Sequence, residues 1–344
     1  MKHMISVFLF ILGLSSCSSL DDVNNSATLR NNYIVILDLS DRIIQRQDQI
    51  DIDTTAIRAV FEKFEKSVQG NLIVKSAGNT RTSNGPTKNS STGKWFNNDS
   101  TYWRRDQTGK WFNAGIRPDS LSNNDSFETL PGDVNAKNIL TVGAVSGILA
   151  GYAKKEDVVA NSFSSWGPTD DGRIKPDIVA DGVAVYSTLT TNDSSYGYSS
   201  GTSMSSPGVA GSLLLLQELS YKLINKPVRS ATLKALAIHT ANEAGTSPGP
   251  DYKFGFGLLN VEKAAAVISA SVANNNSTSS EHLMFENVLN ATTTTFSTNV
   301  IASGKGQLRA TISWTDPKGN VETVNVLNDR TPKLVNDLDV RVTT

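Results

Sequence analysis

Apolar and polar positions divide the chain into runs of different period. Ile5 to Leu14 is continuously apolar. That is signal-peptide length, too short to cross a bilayer as a helix. Ser18 to Asn32 is polar and reads as a tether. Tyr33 to Leu37 is apolar again and ends at Asp38, the pattern of a buried strand. Ile57, Val60, Phe64 and Val68 then recur at helical spacing, with Asp53 placed to cap the start and Gly70 to close the end. Leu72 to Val74 is a second short strand. Strand, helix and strand in this order form a βαβ unit, whose strands run parallel through a right-handed crossover.

From Thr80 to Asn135 the chain is mostly polar and loop-like. Within it Thr92-Gly93-Lys94-Trp95-Phe96-Asn97 recurs as Thr108-Gly109-Lys110-Trp111-Phe112-Asn113. Two copies suit a β-hairpin or paired loops, whereas a solenoid needs at least three. Ile139 to Val145 reads as a strand. Ile178 to Ala180 and Val183 to Ser187 read as strands flanking a turn at Asp181-Gly182. Ser203 to Leu219 reads as a buried helix, and Ala231 to Ala241 as another. Asn274 to Ser280 has the composition of a linker. Beyond it, Leu308, Ala310, Ile312 and Trp314 alternate with polar residues, as do Leu338, Val340 and Val342, which is a β-sandwich pattern. The expected organisation is a leader over 1–17, a linker over 18–32 and a core over 33–269. A second linker over 270–281 and a truncated β-sandwich over 282–344 follow.

Composition narrows the classes. The chain has 344 residues, a net charge of −1 and 38% hydrophobic residues. This fits a globular core and offers no basic face of the kind nucleic acid requires. The single Cys is Cys17, which follows Leu14-Ser15-Ser16 directly after the apolar run. The segment resembles a bacterial lipobox. That resemblance implies lipidation at Cys17, export to the cell envelope or outer surface, membrane contact through the lipid alone, and a mature fold without disulfides.

The chemistry centres on Ser203. A serine hydroxyl attacks well only when a base takes its proton and donors stabilise the oxyanion. Gly201 permits a tight turn into a helix. Ser203 then falls in the first turn, at the positive end of the helix dipole. Pro207 is tolerated so near the helix start. Gly208, Ala210 and Gly211 are expected to keep the helix thin for deep packing. The run Gly201-Thr202-Ser203-Met204-Ser205-Ser206-Pro207-Gly208-Val209-Ala210-Gly211 resembles the nucleophile motif of the subtilisin-like serine peptidases (subtilases). Ser76-Ala77-Gly78-Asn79 follows a strand, as that family's oxyanion segment does. The resemblance implies that the Asn79 amide and the Ser203 N–H receive the oxyanion. Loss of one such donor costs about 3 kcal/mol, a figure that itself comes from a subtilisin.

Further stretches resemble the same family: Ile139 to Val145, Phe163 to Pro168, Lys175-Pro176-Asp177-Ile178-Val179-Ala180, Ala235 to Ala241, and Phe254 to Asn260. The family's Ala-Pro-Gly is here Ala180-Asp181-Gly182. Trp314-Thr315-Asp316-Pro317 and Leu334 to Asp339 resemble the β-sandwich that follows the catalytic domain in some large subtilases. The resemblance runs from about Ser76 to Thr344. It implies an α/β fold with a parallel-sheet, three-layer core. It also implies a serine endopeptidase acting on peptide or protein substrates, with Ser76, Ala77, Gly78, Gly143, Ser165 and Gly167 lining the substrate cleft. Catalysis would need no cofactor; structural calcium has no assignable residues, and nothing sets an oligomeric state.

Two motifs of the family are missing ahead of Asn79: the strand ending in the triad Asp, and the His motif on a buried helix. The chain has three His. His3 belongs to the leader, His239 lies where relatives have no catalytic role, and His282 follows the linker. Asp38 ends an apolar strand but stands too close to Asn79 for the triad acid, and residues 33–75 read better as a substitute βαβ unit. Ile36 to Arg42 weakly resembles the metal site of von Willebrand A-type domains, yet Arg42 replaces its second Ser, so no metal is assigned. A strand-end Asp and Ser also make ordinary turn hydrogen bonds. The change of character at Lys75-Ser76 reads as a fusion, a deletion or an assembly error. Without triad Asp and His, only about a thousandfold acceleration over water survives. Two readings therefore stand. One is an impaired subtilase. The other is a cell-envelope peptide-binding or scaffold lipoprotein with a dead peptidase body.

Overall fold

The computed structural model describes residues 72–79 and 81, short strands between 87 and 113, and residues 127, 129–276, 281–301, 307–320 and 330–343. Cys17, Asp38 and the expected βαβ helix lie outside the described residues. The strands are β1 (Val74–Ser76), β2 (Thr87–Lys88), β3 (Trp95–Asn97), β4 (Ser100–Thr101), β5 (Trp103–Arg105) and β6 (Trp111–Asn113). They continue with β7 (Leu140–Val145), β8 (Ile178–Asp181), β9 (Val185–Thr188) and β10 (Tyr196–Ser199). The helices are α1 (Thr202–Ile224), α2 (Ser230–Thr240) and α3 (Val261–Ala273).

The central sheet is parallel, in the order β1-β7-β8, with Val74 opposite Leu140 and Val142 opposite Ile178. Strand side chains alternate between faces, so Leu140 and Val142 point the same way as Val74 and Ile178. Val209, Leu213 and Leu216 of α1 recur on one helical face and meet them, joined by Leu233 and Leu236 of α2 and Ile268 of α3. A parallel sheet with helices packed on it is the expected α/β class.

Helix phase overturns one expectation. The buried positions of α1 include Thr202, Ser205, Ser206, Val209, Ala210, Leu213 and Leu216. Gly208 and Gly211 lie on the opposite side, and a Cβ at either would meet nothing within 4 Å. Their smallness therefore does not set the packing depth of the helix. Helix α3, not anticipated from the sequence, is capped by Asn260, whose Oδ1 accepts the Lys263 N–H at 2.9 Å. It runs past the expected boundary at residue 269. The two Trp-Phe-Asn copies fall in separate antiparallel sheets, β3 with β2 and β4, and β6 with β5.

A buried ionic cluster ties the start of β7 to β8. Asp177 Oδ2 lies 2.5 Å from Lys175 Nζ, and its Oδ1 lies 3.0 Å from Lys234 Nζ. The Thr141 N–H also donates to Asp177 Oδ2 at 2.7 Å. Burial pushes the Asp177 carboxyl up, but the two ammonium groups and these hydrogen bonds outweigh it and hold it below the usual range. Removing one partner of such a buried set costs about 3–5 kcal/mol.

The C-terminal segment is described over residues 281–301, 307–320 and 330–343. None of the described residues beyond Asn276 forms a paired strand, and Leu308, Ile312, Val340 and Val342 are exposed. Alternation marks a segment able to form a strand, but a strand also needs a partner for its ladder. A polar clasp holds the segment instead. The Asp316 carboxylate takes Lys137 Nζ together with the N–H groups of Val335 and Asn336, at 2.9 and 2.8 Å. The Asn138 amide pairs with the Asp316 backbone in both directions, at 2.8 and 3.0 Å.

Burial alone would raise the Asp316 carboxyl; Lys137 and the two amides reverse this and hold it well below the ordinary range. A depressed folded value means that its stabilisation is complete above the unfolded pKa of about 3.9 and is lost as pH falls toward the folded value. Acidification below about pH 4 should therefore weaken the clasp progressively. Asp316→Asn should release it at neutral pH. Hydrogen exchange across residues 307–320 and 330–343 reports both outcomes.

Candidate active site

The site forms where β1, β8 and α1 converge. Beyond β1 the chain turns through Ala77-Gly78-Asn79. Gly78 has φ +104°, and a Cβ there would stand 2.9 Å from Pro131 Cδ and 3.1 Å from Ser165 Oγ. Only glycine fits both the conformation and the space. Beyond β8, Gly182 O accepts the Gly201 N–H at 2.8 Å. A Cβ on Gly182 would collide with Gly201 O at 2.7 Å. The chain after Gly201 thus enters α1 directly opposite Asn79.

Thr202, fully buried, joins the two segments. Its N–H and its Oγ1–H each donate to Asn79 Oδ1 at 2.8 Å. Its Oγ1 in turn accepts the Gly78 N–H at 3.1 Å. A backbone N–H can only donate, so the atom it meets on Asn79 is the amide oxygen. Asn79 Nδ2 is thereby left on the Gly201 side, where a Cβ built on Gly201 would lie 3.2 Å from it. Ser203 follows, half-buried in the first turn of α1, which carries no acidic residue. The donor amide, the helix N-terminus and the hydroxyl therefore share one small region, suited to a developing negative charge.

The expected substrate-binding residues divide into two groups. Ser76 and Ala77 are buried at the end of β1, and Gly78 O accepts the Ser165 N–H at 2.9 Å, so these residues gather with Asn79. Gly143 and Gly167 pack behind them. A Cβ on Gly143 would press on Val179, Pro176 and Ser164, and one on Gly167 would stand 2.4 Å from Lys175 O. Ser164 Oγ accepts the Ala144 N–H at 2.9 Å and fixes the loop to β7.

His239 serves the C-terminal segment. Its Nδ1 is 2.8 Å from Thr311 Oγ1, and its carbonyl accepts Arg309 Nη1 at 2.9 Å. Burial, then the charges of Arg309 and His282, lower its basicity. Among the described residues no three His, Cys, Asp or Glu side chains gather into a metal-binding group. Thr202 is the functional residue that sequence reasoning missed. Its only signal was its place between Gly201 and Ser203.

A family model described as the subtilase family matches residues 22–257. The match takes in both Asn79 and Ser203. It begins well before Ser76, where the sequence reading placed the start of the resemblance. The chain is 36% identical over 128 residues to C5a peptidase of Streptococcus pyogenes serotype M18, covering 35% of this chain and 11% of that protein. It is 35% identical over 115 residues to minor extracellular protease Vpr of Bacillus subtilis, covering 31% and 14%. The chain thus spans a small fraction of either relative's length. Among solved structures, the Clostridium perfringens CspB protease overlaps with a TM-score of 0.35 and 24% identity, over 42% of this chain and 30% of that one.

Thr202→Val should cost about 1–3 kcal/mol, because it strands the buried Gly78 N–H and leaves Asn79 Oδ1 with the backbone hydrogen bond alone. Thr202→Ser keeps the hydroxyl and should cost less. Urea denaturation of the two variants beside the parent measures the difference.

Proposed function

The chain belongs to the subtilase family, and on that premise we propose that it is a serine endopeptidase by descent, able to bind peptides at Ser203 but slow to cleave them. In the forward reaction Ser203 Oγ attacks the carbonyl carbon of the scissile peptide. The carbonyl oxygen becomes an oxyanion received by Asn79 Nδ2 and the Ser203 N–H. Collapse expels the amine and leaves an acyl-enzyme, which water then hydrolyses. The observation that carries the reading is the pair of Thr202 hydrogen bonds, which turn the donor end of Asn79 toward the start of α1.

The same steps explain the slowness. Attack needs an acceptor for the hydroxyl proton, and departure of the amine needs that proton returned. His239 is engaged with Thr311, and His282 lies close enough to it to lower its basicity. The family's Asp and His motifs are absent from the sequence ahead of Asn79. Oxyanion donors without a base retain about a thousandfold acceleration over water, far below practical proteolysis.

A second reading keeps the cleft and drops the chemistry, making the chain a peptide-binding lipoprotein of the cell envelope. The apolar run ending at Leu14-Ser15-Ser16-Cys17 favours export with a lipid on Cys17. The name of the Bacillus relative, an extracellular protease, accords with export.

A fluorophosphonate probe should label Ser203 slowly and leave Ser203→Ala unlabelled, with no turnover of fluorogenic peptides. Labelling at the rate of a complete subtilase would mean that a base reaches Ser203 and would remove the claim of impairment. For the anchor, Cys17→Ala should move the expressed protein from the membrane fraction to the soluble one. An unchanged distribution between the fractions would remove the lipoprotein reading.

A further inference from the structure

Arg81 lies two residues beyond Asn79, and its N–H donates to Phe163 O at 3.3 Å. Its guanidinium carbon stands 4.0 Å from the centre of the Trp166 ring. Lys253 Nζ stands 4.7 Å from the same centre. Trp166 is only 8% exposed, and Phe127 tilts against it at 5.4 Å. The preceding residue, Ser165, is the one whose N–H holds Gly78 O. The indole and its two cations therefore adjoin the loop that carries the oxyanion donor.

Cations over an indole gain about 0.5–2 kcal/mol each, but that contact uses none of their N–H groups. The Nε of Arg81 and the Nε1 of Trp166 are buried donors with no hydrogen-bond partner among the described residues. Leaving such a donor unsatisfied costs about 1–3 kcal/mol. The two positive charges also oppose each other. Burial, then the charge of Arg81, lowers the basicity of Lys253, and Asp251 only partly offsets this. Asp251 Oδ1 takes the backbone N–H groups of Lys253 and Phe254, both at 2.7 Å. A carboxylate can pair with the terminal nitrogens of the Arg81 guanidinium and offset the repulsion between the two charges.

We propose that Arg81, Trp166 and Lys253 form a carboxylate-binding subsite of the Ser203 cleft, which selects peptides presenting an acidic side chain or a free C-terminus there. The subsite rests on the reading of the cleft as a peptide site.

The full chain is titrated by fluorescence anisotropy with three fluorescein-tagged peptides. These are Ala-Ala-Ala-Glu-Ala-Ala-Ala amide, its Gln counterpart as amide, and the Gln peptide with a free C-terminus. A carboxylate peptide should bind about tenfold tighter than the Gln amide, the scale of a hydrogen bond to a charged group. Whichever of the two gains identifies the source of the carboxylate. Arg81→Gln and, separately, Lys253→Gln should bring the ratio close to one, while Arg81→Lys should retain part of it. Equal binding of all three peptides overturns the subsite and leaves the peptide cleft intact. Binding of none overturns the cleft reading and the subsite together.

Discussion

Two hydrogen bonds from Thr202 to one oxygen of Asn79 bridge residues 123 positions apart. Each contributes about 0.5–1.5 kcal/mol net, and closing so long a loop costs several kcal/mol of chain entropy. The hydrogen bonds alone therefore do not bring the segments together. Burial of Val209, Leu213 and Leu216 of α1 on β1, β7 and β8, at about 1.5–3 kcal/mol per side chain, is large enough to do so. The core sets the position of the helix, and Thr202 then selects one orientation of the Asn79 amide. The division matters because oxyanion donors work only when held near their final geometry, where a displacement of about 1 Å is already expensive.

The parallel sheet also keeps stability and chemistry at opposite ends. Asn79 and Gly182 follow the C-terminal ends of β1 and β8, the edge where open parallel sheets place their ligands. The Lys175–Asp177–Lys234 cluster and the Asp316 clasp meet the chain at Lys137 to Thr141, at the N-terminal end of β7. Charges that must stay paired to be tolerated in the interior lie at that edge. Charges left without a carboxylate partner among the described residues, on Arg81 and Lys253, lie beside the Asn79 loop. The C-terminal segment consequently leaves the Ser203 edge uncovered by its clasp.

Much of the site was legible because its residue types are dictated locally. Gly78 needs a positive φ, Asn79 needs an amide, and Ser203 needs a helix start, so each leaves a mark in the sequence. Thr202 left almost none, since its role is to accept from and donate to a single distant segment, Gly78-Asn79. Gly208 and Gly211 were misread because small residues were counted without following the helical phase, which turns both outward. Helix α3 was legible and was passed over, since Ala264, Val267, Ile268 and Ser271 keep helical spacing along its buried face. The alternation at Leu308 to Trp314 was legible as strand capacity but gave no information on a partner. The Trp166 cluster was invisible because Arg81, Trp166 and Lys253 are remote in sequence and meet only through the fold.

On the proposed reading, in which no base reaches Ser203, the remaining electrostatics act differently. A helix N-terminus and an oriented amide favour negative charge wherever it arises, on a tetrahedral intermediate or on a bound anion. In a complete peptidase, proton transfer lets that preference act on the transition state and lowers the barrier. Without proton transfer the intermediate is rarely reached, and the same preference acts on the ground state instead. Arg81 and Lys253 add to it next to Asn79, in a partly desolvated setting where a charge-assisted contact is stronger than in water. Ground-state binding that gains nothing further in the transition state does not accelerate a reaction. On that proposed reading the cleft holds anionic peptides more effectively than it cuts them.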